Sequence, residues 1–308
     1  MAVPSSGALS LAGIRAELTT NTYNASATVS TSLQEASTGS YGTINTSNAS
    51  AARPNGSVPH SMDEFYAYDH DLSSFADDIS FDLDGSNDYL EGSNSLASAI
   101  SVTQGSMSVW IKIDSVAANG LVFQLTAETG SNDQIFLLFN NAAGKIRGAW
   151  KGSGSAYTVD SSAGLEGDGN WHHFVMTWFS GDSRTTSNNK VLLYEDGSLQ
   201  ATKAIGSTVW AETPAIVGFG RNSIQNNGQN WNGHLNDIAV FTDVLTAVEV
   251  ATIYNSGSPK DESSHSGLLA YYTMENYSNG DTSLADDSSN SYALTITNST
   301  DIDSSDTP

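Results

Sequence analysis

The pattern of hydrophobic residues changes character near residue 80. Before that point, "LSLAGIRAEL" places Leu11, Ile14 and Leu18 at helical spacing, with Ser10 as a candidate N-cap. A stretch rich in Ser, Thr and Asn follows, and "SMDEFYAY" then predicts a second short helix with an aromatic face. Residues 1–75 therefore predict a small N-terminal region with short helices and little material for a core of its own.

After residue 80 the pattern becomes that of short strands. Runs rich in Val, Ile, Phe, Tyr and Trp alternate with Gly, Asn, Asp and Ser, as in strands joined by tight turns. The clearest runs are "SMSVWIKI", "GLVFQLT", "QIFLLFN", "KIRGAWK", "WHHFVMTWF", "KVLLYEDG", "AIVGFG" and "LNDIAVF". In "TAVEVATIYNSG", Thr246 and Glu249 have capping-box spacing and Gly257 stands at an expected helix C-cap. The pattern predicts an all-β sandwich with one helix and a polar C-terminal tail over 298–308.

The charge balance narrows the range of partners. Among 308 residues there are 11 Lys and Arg against 34 Asp and Glu, which gives a formal net charge of −23. Such a surface repels nucleic-acid backbones and anionic lipid headgroups, so we expect neither nucleic-acid binding nor membrane insertion. The sequence has no Cys, which excludes disulfides and thiolate metal sites. Because no secretion signal is recognisable, we expect synthesis in a cytoplasm.

Several motifs occur in a recognisable order. They are "FDLDGSNDYLEG" (81–92), "GSMSVWIKID", "GNWHHFVMTW" with "NKVLLYEDGSLQ", and "NGHLNDIAVFTDVLTAVEVATIYNSG". They resemble the laminin-G/concanavalin A-like lectin superfamily over most of residues 80–297. The resemblance implies a concanavalin A-like, laminin-G-like jelly-roll β-sandwich over 76–297. The segment "GLLAYYTMEN" resembles one that usually precedes the opening strand, and neighbouring termini in a sandwich permit its later position here.

The N-terminal motifs carry a second resemblance. "SGALSLAGIRAEL", a polar gap and "PHSMDEFYAYDH" are similar to a short module at the start of bacteriophage structural proteins. This resemblance implies that residues 1–75 attach the chain to other virion proteins. The residues expected to make the docking contacts are Leu11, Ile14, Leu18, Met62, Phe65 and Tyr66. A mobile arm is the alternative interpretation.

The histidine pair in "GNWHHFVMTW" is the first candidate for chemistry. Neighbouring side chains of a strand point to opposite faces, so His172 and His173 cannot readily share a metal ion. We interpret both as structural, and the remaining histidines lack zinc-ligand spacing. The sequence contains no Glu-x-Asp-x-Glu, no nucleophile elbow and no phosphate loop. We therefore expect a protein that is not an enzyme and has no catalytic residues.

Sugar binding requires an exposed aromatic ring together with amide and carboxylate groups. The loops "QNNGQNWNG", "STVWAETP" and "AETGSNDQ" contain these residue types, and we expect them to share one rim of the sandwich. The candidate carbohydrate-binding residues are Trp231, Asn227, Asn230, Trp210, Asn132 and Asp133. The alternative is that both tryptophans pack beneath their loops.

Calcium is the one cofactor that the resemblance brings into consideration. Many proteins of this fold hold Ca²⁺ at the rim through carboxylates and carbonyl groups. The candidate ligands by chain position are Asp88, Asp133, Asp168 and Asp237. Carboxylates in turns also serve the turn itself, so the metal ligands stay unassigned.

Taken together, the resemblances predict a bacteriophage virion protein, either a capsid decoration or an appendage of the head or tail. We expect it to assemble in the host cytoplasm, to be present as a homo-oligomer or in many copies, and to bind host-surface glycans through an outward-facing lectin-like domain. The alternatives are a purely structural, particle-stabilising protein without a ligand, and a bacterial surface adhesin.

Overall fold

The computed structural model of the chain divides into two compact units, Met1–Ala76 and Asp77–Pro308. The structure describes residues 3–45, 48, 52–68, 70, 75, 77–114, 119–127, 132–140, 142–162, 164–165, 168–182, 188–221, 229–298 and 303–308. Within these residues, no helix has the length and apolar character needed to cross a membrane.

The first unit contains three short helical segments. These are α1 (Leu11–Thr20), α2 (Leu33–Ser37) and a 3₁₀ helix at Met62–Phe65. The hydroxyl of Ser10 caps α1 by accepting a hydrogen bond from a backbone N–H of its first turn, as expected. Helix α2 lies in the polar stretch where the sequence analysis expects none. Its signal is Ser32 followed three residues later by Glu35, whose backbone N–H donates to the Ser32 hydroxyl.

The first unit has an apolar core of its own. Its buried side chains are Val3, Ile14, Leu18, Ala36, Phe65 and Tyr68. Ile14, Leu18 and Phe65 are at most 2% exposed, so the expectation that they dock onto a partner is wrong. Their burial holds the unit together because few other apolar side chains are available to it. The other three expected docking residues stay partly exposed: Leu11, Met62 and Tyr66.

The second unit is a sandwich of two antiparallel sheets, which confirms the predicted fold class. Sheet A, in spatial order, consists of β10 (Ser198–Ala204), β9 (Lys190–Glu195), β8 (Trp171–Phe179), β3 (Gln104–Ile113), β12 (Asn232–Phe241), β1 (Ser80–Asp84) and β16 (Asp303–Ser304), with β13 (Leu268–Tyr272) also paired to β12. Sheet B consists of β14 (Ser283–Leu284), β15 (Leu294–Thr297), β2 (Tyr89–Gly92), β11 (Pro214–Phe219), β4 (Gly120–Ala127), β5 (Gln134–Asn140), β6 (Lys145–Gly152) and β7 (Ser155–Asp160). Two helices, α3 (Asn94–Ala99) and α4 (Ala247–Tyr254), complete the unit.

Strand β8 shows how alternation builds the core. Phe174 and Met176 belong to the apolar cluster between the sheets and are fully buried. The opposite face of the strand is buried as well. There the ring of Tyr254, from α4, stacks on His173 and on Trp110 with centroid separations of 6.0 and 5.7 Å. Helix α4 therefore covers part of the outer face of sheet A.

Helix α4 begins as predicted and ends earlier than predicted. Thr246 and Glu249 form the capping box reciprocally, each side chain bonding the other residue's backbone N–H. The expected C-cap at Gly257 is wrong, because Asn255 already adopts the left-handed conformation with φ 47°. Asn tolerates this conformation better than most residues do.

The last residues of the chain belong to the sandwich. Strand β16 pairs with β1, and the carboxylate of Asp306 accepts a hydrogen bond from Trp171 Nε1 at 2.9 Å and forms an ion pair with Lys112. The expectation of a polar tail over 298–308 is therefore wrong for 303–308. Trp171 itself lies partly exposed.

Gly233 in β12 allows the close approach of β3. Its φ is 138°, and a Cβ at this position would lie 2.2 Å from the carbonyl oxygen of Lys112. We predict that Gly233→Ala lowers the free energy of unfolding by about 3 kcal/mol or more, because the two backbones must separate. Urea unfolding followed by tryptophan fluorescence measures this loss.

Gly280→Ala is the matched control for this prediction. Gly280 also has a positive φ of 95°, yet no described atom lies within 4 Å of the added Cβ. Gly280→Ala should lower the free energy of unfolding only by the cost of conformational strain, about 1–2 kcal/mol. Equal losses in the two variants would show that the contact with β3 is unimportant.

Candidate functional site

The outer face of sheet B carries a polar cleft where β2, β11 and β15 meet the start of α3. Its volume is about 380 Å³. This lies within the range of about 300–1,000 Å³ that is usual for small-ligand sites. The lining residues are Glu91, Gly92, Ser93, Asn94, Ala215, Ile216, Ala293 and Thr295.

Strand pairing places the central carboxylate of this cleft. Leu90 is fully buried in the core, so its neighbour Glu91 points to the outer face of the sheet. Glu91 lies directly opposite Thr295 on one side and Gly218 on the other. Because Gly218 has no side chain, the carboxylate of Glu91 has space above β11.

The polar side chains of the cleft are available to a ligand. The side chains of Glu91, Asn94 and Thr295 have neither a hydrogen bond nor an ion pair among the residues that the structure describes. They offer a carboxylate acceptor, an amide that donates and accepts, and a hydroxyl. Ile216 and Ala293 add apolar surface beside them. This combination suits a small ligand with many hydroxyl groups and apolar C–H faces.

The predicted carbohydrate-binding residues do not form one site. Trp231 is 1% exposed and its Nε1 donates to the carbonyl oxygen of His234 at 3.3 Å. The expectation that its ring is open to sugar is therefore wrong, because the ring faces pack inside the sandwich. The side-chain amide of Asn230 donates to the carbonyl oxygen of Ser86. Asn227 lies outside the described residues.

The other predicted sugar-binding residues serve a second loop region. Asp133 is fully buried, and its carboxylate accepts backbone N–H groups of Ala211 and Glu212 at 2.7 and 2.8 Å. These bonds fix the segment that follows Trp210, whose ring is half-buried. Asn132 is exposed beside them. Asp133 thus supports a loop, and its carboxylate does not point into solvent.

These two sets of residues lie at opposite ends of β4. Trp231 packs within 3.2 Å of where a Cβ on Gly120 would lie, at the first residue of the strand. Asp133 accepts, through its backbone carbonyl oxygen, a hydrogen bond from the hydroxyl of Thr126 near the strand's other end. Six residues of extended chain span about 20 Å. The expectation of one shared rim is therefore wrong, because the length of the strand separates the loops.

The two adjacent histidines have opposite surroundings. His172 Nδ1 lies 2.9 Å from a carboxylate oxygen of Asp196, and its Nε2 lies 2.9 Å from one of Asp168. The hydrogen bond with Asp196, aided by that with Asp168, raises the pKa of His172 to about 9 against the effect of burial. His173 is 1% exposed, and its Nε2 lies 2.7 Å from the Ser108 hydroxyl. Burial lowers the pKa of His173 to about 3, so its ring is neutral.

The fit of these residues to Ca²⁺ is poor. Among the described residues, two groups have donor atoms close enough together to hold a cation: Asp82 with Asp114 and His234, and His172 with Glu195 and Asp196. Each contains an imidazole and two carboxylates, whereas Ca²⁺ takes about six to eight oxygen ligands. The four candidate ligands expected by chain position belong to neither group. Their carboxylates instead form hydrogen bonds within the protein: Asp88, Asp133, Asp168 and Asp237.

Asp237 shows why chain position misleads here. It is 2% exposed, and its carboxylate accepts the Tyr271 hydroxyl at 2.6 Å. Burial raises the pKa of Asp237 well above its usual range. A carboxyl held in this way serves the packing of β12 against β13.

Two antiparallel sheets in this order, with a polar cleft on an outer face, define a lectin-like sandwich. A family model described as the concanavalin A-like lectin/glucanases superfamily matches residues 84–251. The chain belongs to this family. A comparison with curated proteins returned no match.

Solved structures share the fold at low sequence identity. A candidate carbohydrate-binding protein of Bacteroides ovatus is 16% identical, with a TM-score of 0.51 over 75% of this chain and 62% of its own. The CBM40 of the IT-sialidase of Ruminococcus gnavus is 17% identical, with a TM-score of 0.45 over 57% of this chain and 97% of its own. A heptameric SAP-like pentraxin of Limulus polyphemus is 16% identical, with a TM-score of 0.44 over 58% and 82%.

Sequence reasoning missed the cleft residues, although one signal for them was present. In "DYLEG", alternation around Leu90 predicts that Tyr89 and Glu91 point outward together. No local pattern indicates that Thr295, from the far end of the chain, lies opposite Glu91. Trp231 has the aromatic ring and polar loop expected of a sugar-binding residue, yet it packs inside.

The charged form of His172 should make stability depend on pH. Its pKa of about 9 exceeds the unfolded value near 6.5, so the stabilisation is fully present below pH 6.5 and is lost as pH rises through 9. Allowing for solvent screening, we expect a loss of about 1–3 kcal/mol over this window. Urea unfolding at several pH values measures it as the difference between the native chain and His172→Gln.

In the His172→Gln variant, the part of the fall in unfolding free energy between pH 6.5 and 9 that is due to His172 should be absent. The comparison with the native chain removes contributions from other titrating groups, which the two proteins share. Parallel stability curves between pH 6.5 and 9 would contradict a charged His172.

Proposed function

We propose that the second unit is a glycan-binding module without enzymatic activity and that its binding site is the cleft of Glu91, Asn94 and Thr295. The main evidence for this site is that all three polar side chains line one cleft. None of them has a hydrogen-bond or ion-pair partner among the described residues. Several buried polar groups elsewhere in this unit, such as the Asp133 carboxylate, are used for internal hydrogen bonds. Membership of a lectin and glucanase superfamily supports a sugar as the ligand.

The composition of the cleft favours binding over hydrolysis. Glycoside hydrolysis generally uses two carboxylates, about 5–10 Å apart, on either side of the scissile bond. The cleft lining contains the single carboxylate of Glu91. An acceptor of this kind can bind two adjacent sugar hydroxyls without providing the acid and base of a reaction.

Glu91→Ala should weaken glycan binding about tenfold or more, because hydrogen bonds to a charged acceptor are among the stronger ones. The measurement is a printed glycan array, followed by calorimetric titration of the best ligand. Asp78→Asn is the matched control, since Asp78 is an exposed carboxylate of the same unit outside the cleft. Unchanged affinity in Glu91→Ala, with native stability, would place the site elsewhere.

For the whole chain, we propose a bacteriophage virion protein that is assembled in the host cytoplasm and present in several copies. In this proposal, the first unit attaches to other virion proteins and the second binds host-surface glycans. Two observations support this division of roles: each unit has its own apolar core, and the N-terminal motifs resemble those of phage structural proteins. A structural protein without a ligand would show attachment and no glycan binding.

The attachment role predicts that the partly exposed apolar residues of the first unit contact a virion protein. Leu11→Ala, Met62→Ala and Tyr66→Ala combined in the full chain should reduce its incorporation into particles at least severalfold, because contact surface is lost while the fully buried core side chains stay unchanged. Met62 also packs against that core, so urea unfolding must first show native-like stability for the variant. Quantitative immunoblotting of purified particles from a host that lacks the native copy measures incorporation.

Val29→Ala is the control for this experiment, because Val29 is 55% exposed in the same unit. It should be incorporated normally. Normal incorporation of the triple variant would contradict attachment through these residues.

A further inference from the structure

Arg221 is a cationic side chain left without an acidic partner in a strongly acidic chain. Among the described residues, it forms no ion pair, and its buried Nε has no hydrogen-bond partner. Its guanidinium carbon lies 3.5 Å from the centroid of the Tyr89 ring. The chain contains 34 acidic residues, so the missing partner is not explained by a shortage of carboxylates.

The contact with Tyr89 sets the orientation of the guanidinium. A planar guanidinium stacked on an aromatic ring keeps its N–H groups at its edge, in the geometry that matches a carboxylate with two parallel hydrogen bonds. Stacking also reduces the conformational freedom that Arg221 would lose on binding.

The stacked pair lies beside the cleft. Tyr89 and Glu91 point to the same face of β2, about 7 Å apart along the strand. Their partners on β15, Thr297 and Thr295, follow the same spacing. A single oligosaccharide is long enough to contact Glu91 and Arg221 together.

The acidic residues that flank Tyr89 in the chain do not neutralise Arg221. Asp88 precedes Tyr89, yet its carboxylate accepts hydrogen bonds from the Asp84 backbone N–H and from the side-chain amide of Asn298. Glu91 is not within ion-pair distance of Arg221. The site therefore presents one free carboxylate and one free guanidinium to the same ligand.

We propose that the ligand is a glycan carrying a carboxylate group, which Arg221 binds through its guanidinium while Glu91 accepts hydroxyl groups of a neighbouring sugar. This inference rests on the proposed glycan-binding function of the cleft and names the chemical class of its ligand. A sulfate ester can also accept two parallel N–H groups, but it spreads its single charge over three oxygens and is the weaker hydrogen-bond acceptor, so we expect carboxylated glycans to be preferred over sulfated ones.

The net charge of −23 does not oppose this assignment at contact distance. Charges separated by more than the Debye length, about 8 Å at physiological ionic strength, are largely screened. The net charge lowers the rate at which an anionic glycan approaches, whereas the hydrogen bonds with Arg221 govern how long it stays bound. We therefore expect faster association in higher salt.

The test uses the full chain and a printed array of sialylated, uronic-acid-containing, sulfated and neutral glycans. The native chain should bind carboxylated members best, and methyl esterification of the best ligand should weaken its binding about tenfold to a hundredfold. Arg221→Gln should lose affinity for the free acid by a similar factor. Arg221→Lys should recover only part of it, because lysine keeps the charge and lacks the paired N–H groups.

Lys203→Gln is the matched control, since it removes the same charge from an exposed position on β10 of the other sheet. It should bind like the native chain. If the ester binds as well as the acid, if sulfated glycans are preferred, or if Arg221→Gln binds the acid normally, the inference is overturned. Binding of neutral glycans that depends on Glu91 and not on Arg221 would overturn it while leaving the proposed function standing. Absence of binding to every glycan overturns both.

Discussion

The apolar interior between the two sheets is the constraint on which the rest of this structure depends. Each strand contributes every second side chain to that interior, so the residues between them must point to an outer face. Leu90 and Phe174 are fully buried there. Their neighbours, Glu91 and His173, consequently lie on outer faces, where one lines a cleft and the other is covered by α4. The chemistry of the second unit therefore follows from which outer positions remain uncovered.

Several acidic side chains near the loops and turns stabilise the fold. Asp196 binds His172 and the backbone N–H of His173, and Asp306 holds the end of the chain against Lys112. In these contacts, positively charged groups or N–H donors bind the carboxylates, which would otherwise repel one another in so acidic a chain. By contrast, the charged groups of Glu91 and Arg221 have no such partner among the described residues, and both lie at or beside the cleft. That contrast, more than the presence of a cleft, supports a ligand-binding role.

The elements that could be predicted from the sequence are those whose formation depends on residues close together in the chain. The elements that depend on pairing with another strand could not be predicted. Strands with a regular apolar alternation, such as β3 and β8, were predicted closely, as was the capping box of Thr246 and Glu249. Strand β10 was missed because its side chains are mostly exposed and its existence depends on pairing with β9. The end of the chain was missed for the same reason, since β16 has two residues and is held by β1.

The sequence by itself determined the fold class, the start of α4, the opposite environments of His172 and His173, and the strong negative charge. Each of these properties depends on composition or on residues a few positions apart. At such short separations, backbone geometry alone determines which side chains share a face or bond each other's backbone. Only the tertiary structure decided that Trp231 is buried, that the predicted sugar-binding loops lie at opposite ends of β4, and that Thr295 stands beside Glu91. These relations join strands far apart in the chain, and the packing of the two sheets creates them.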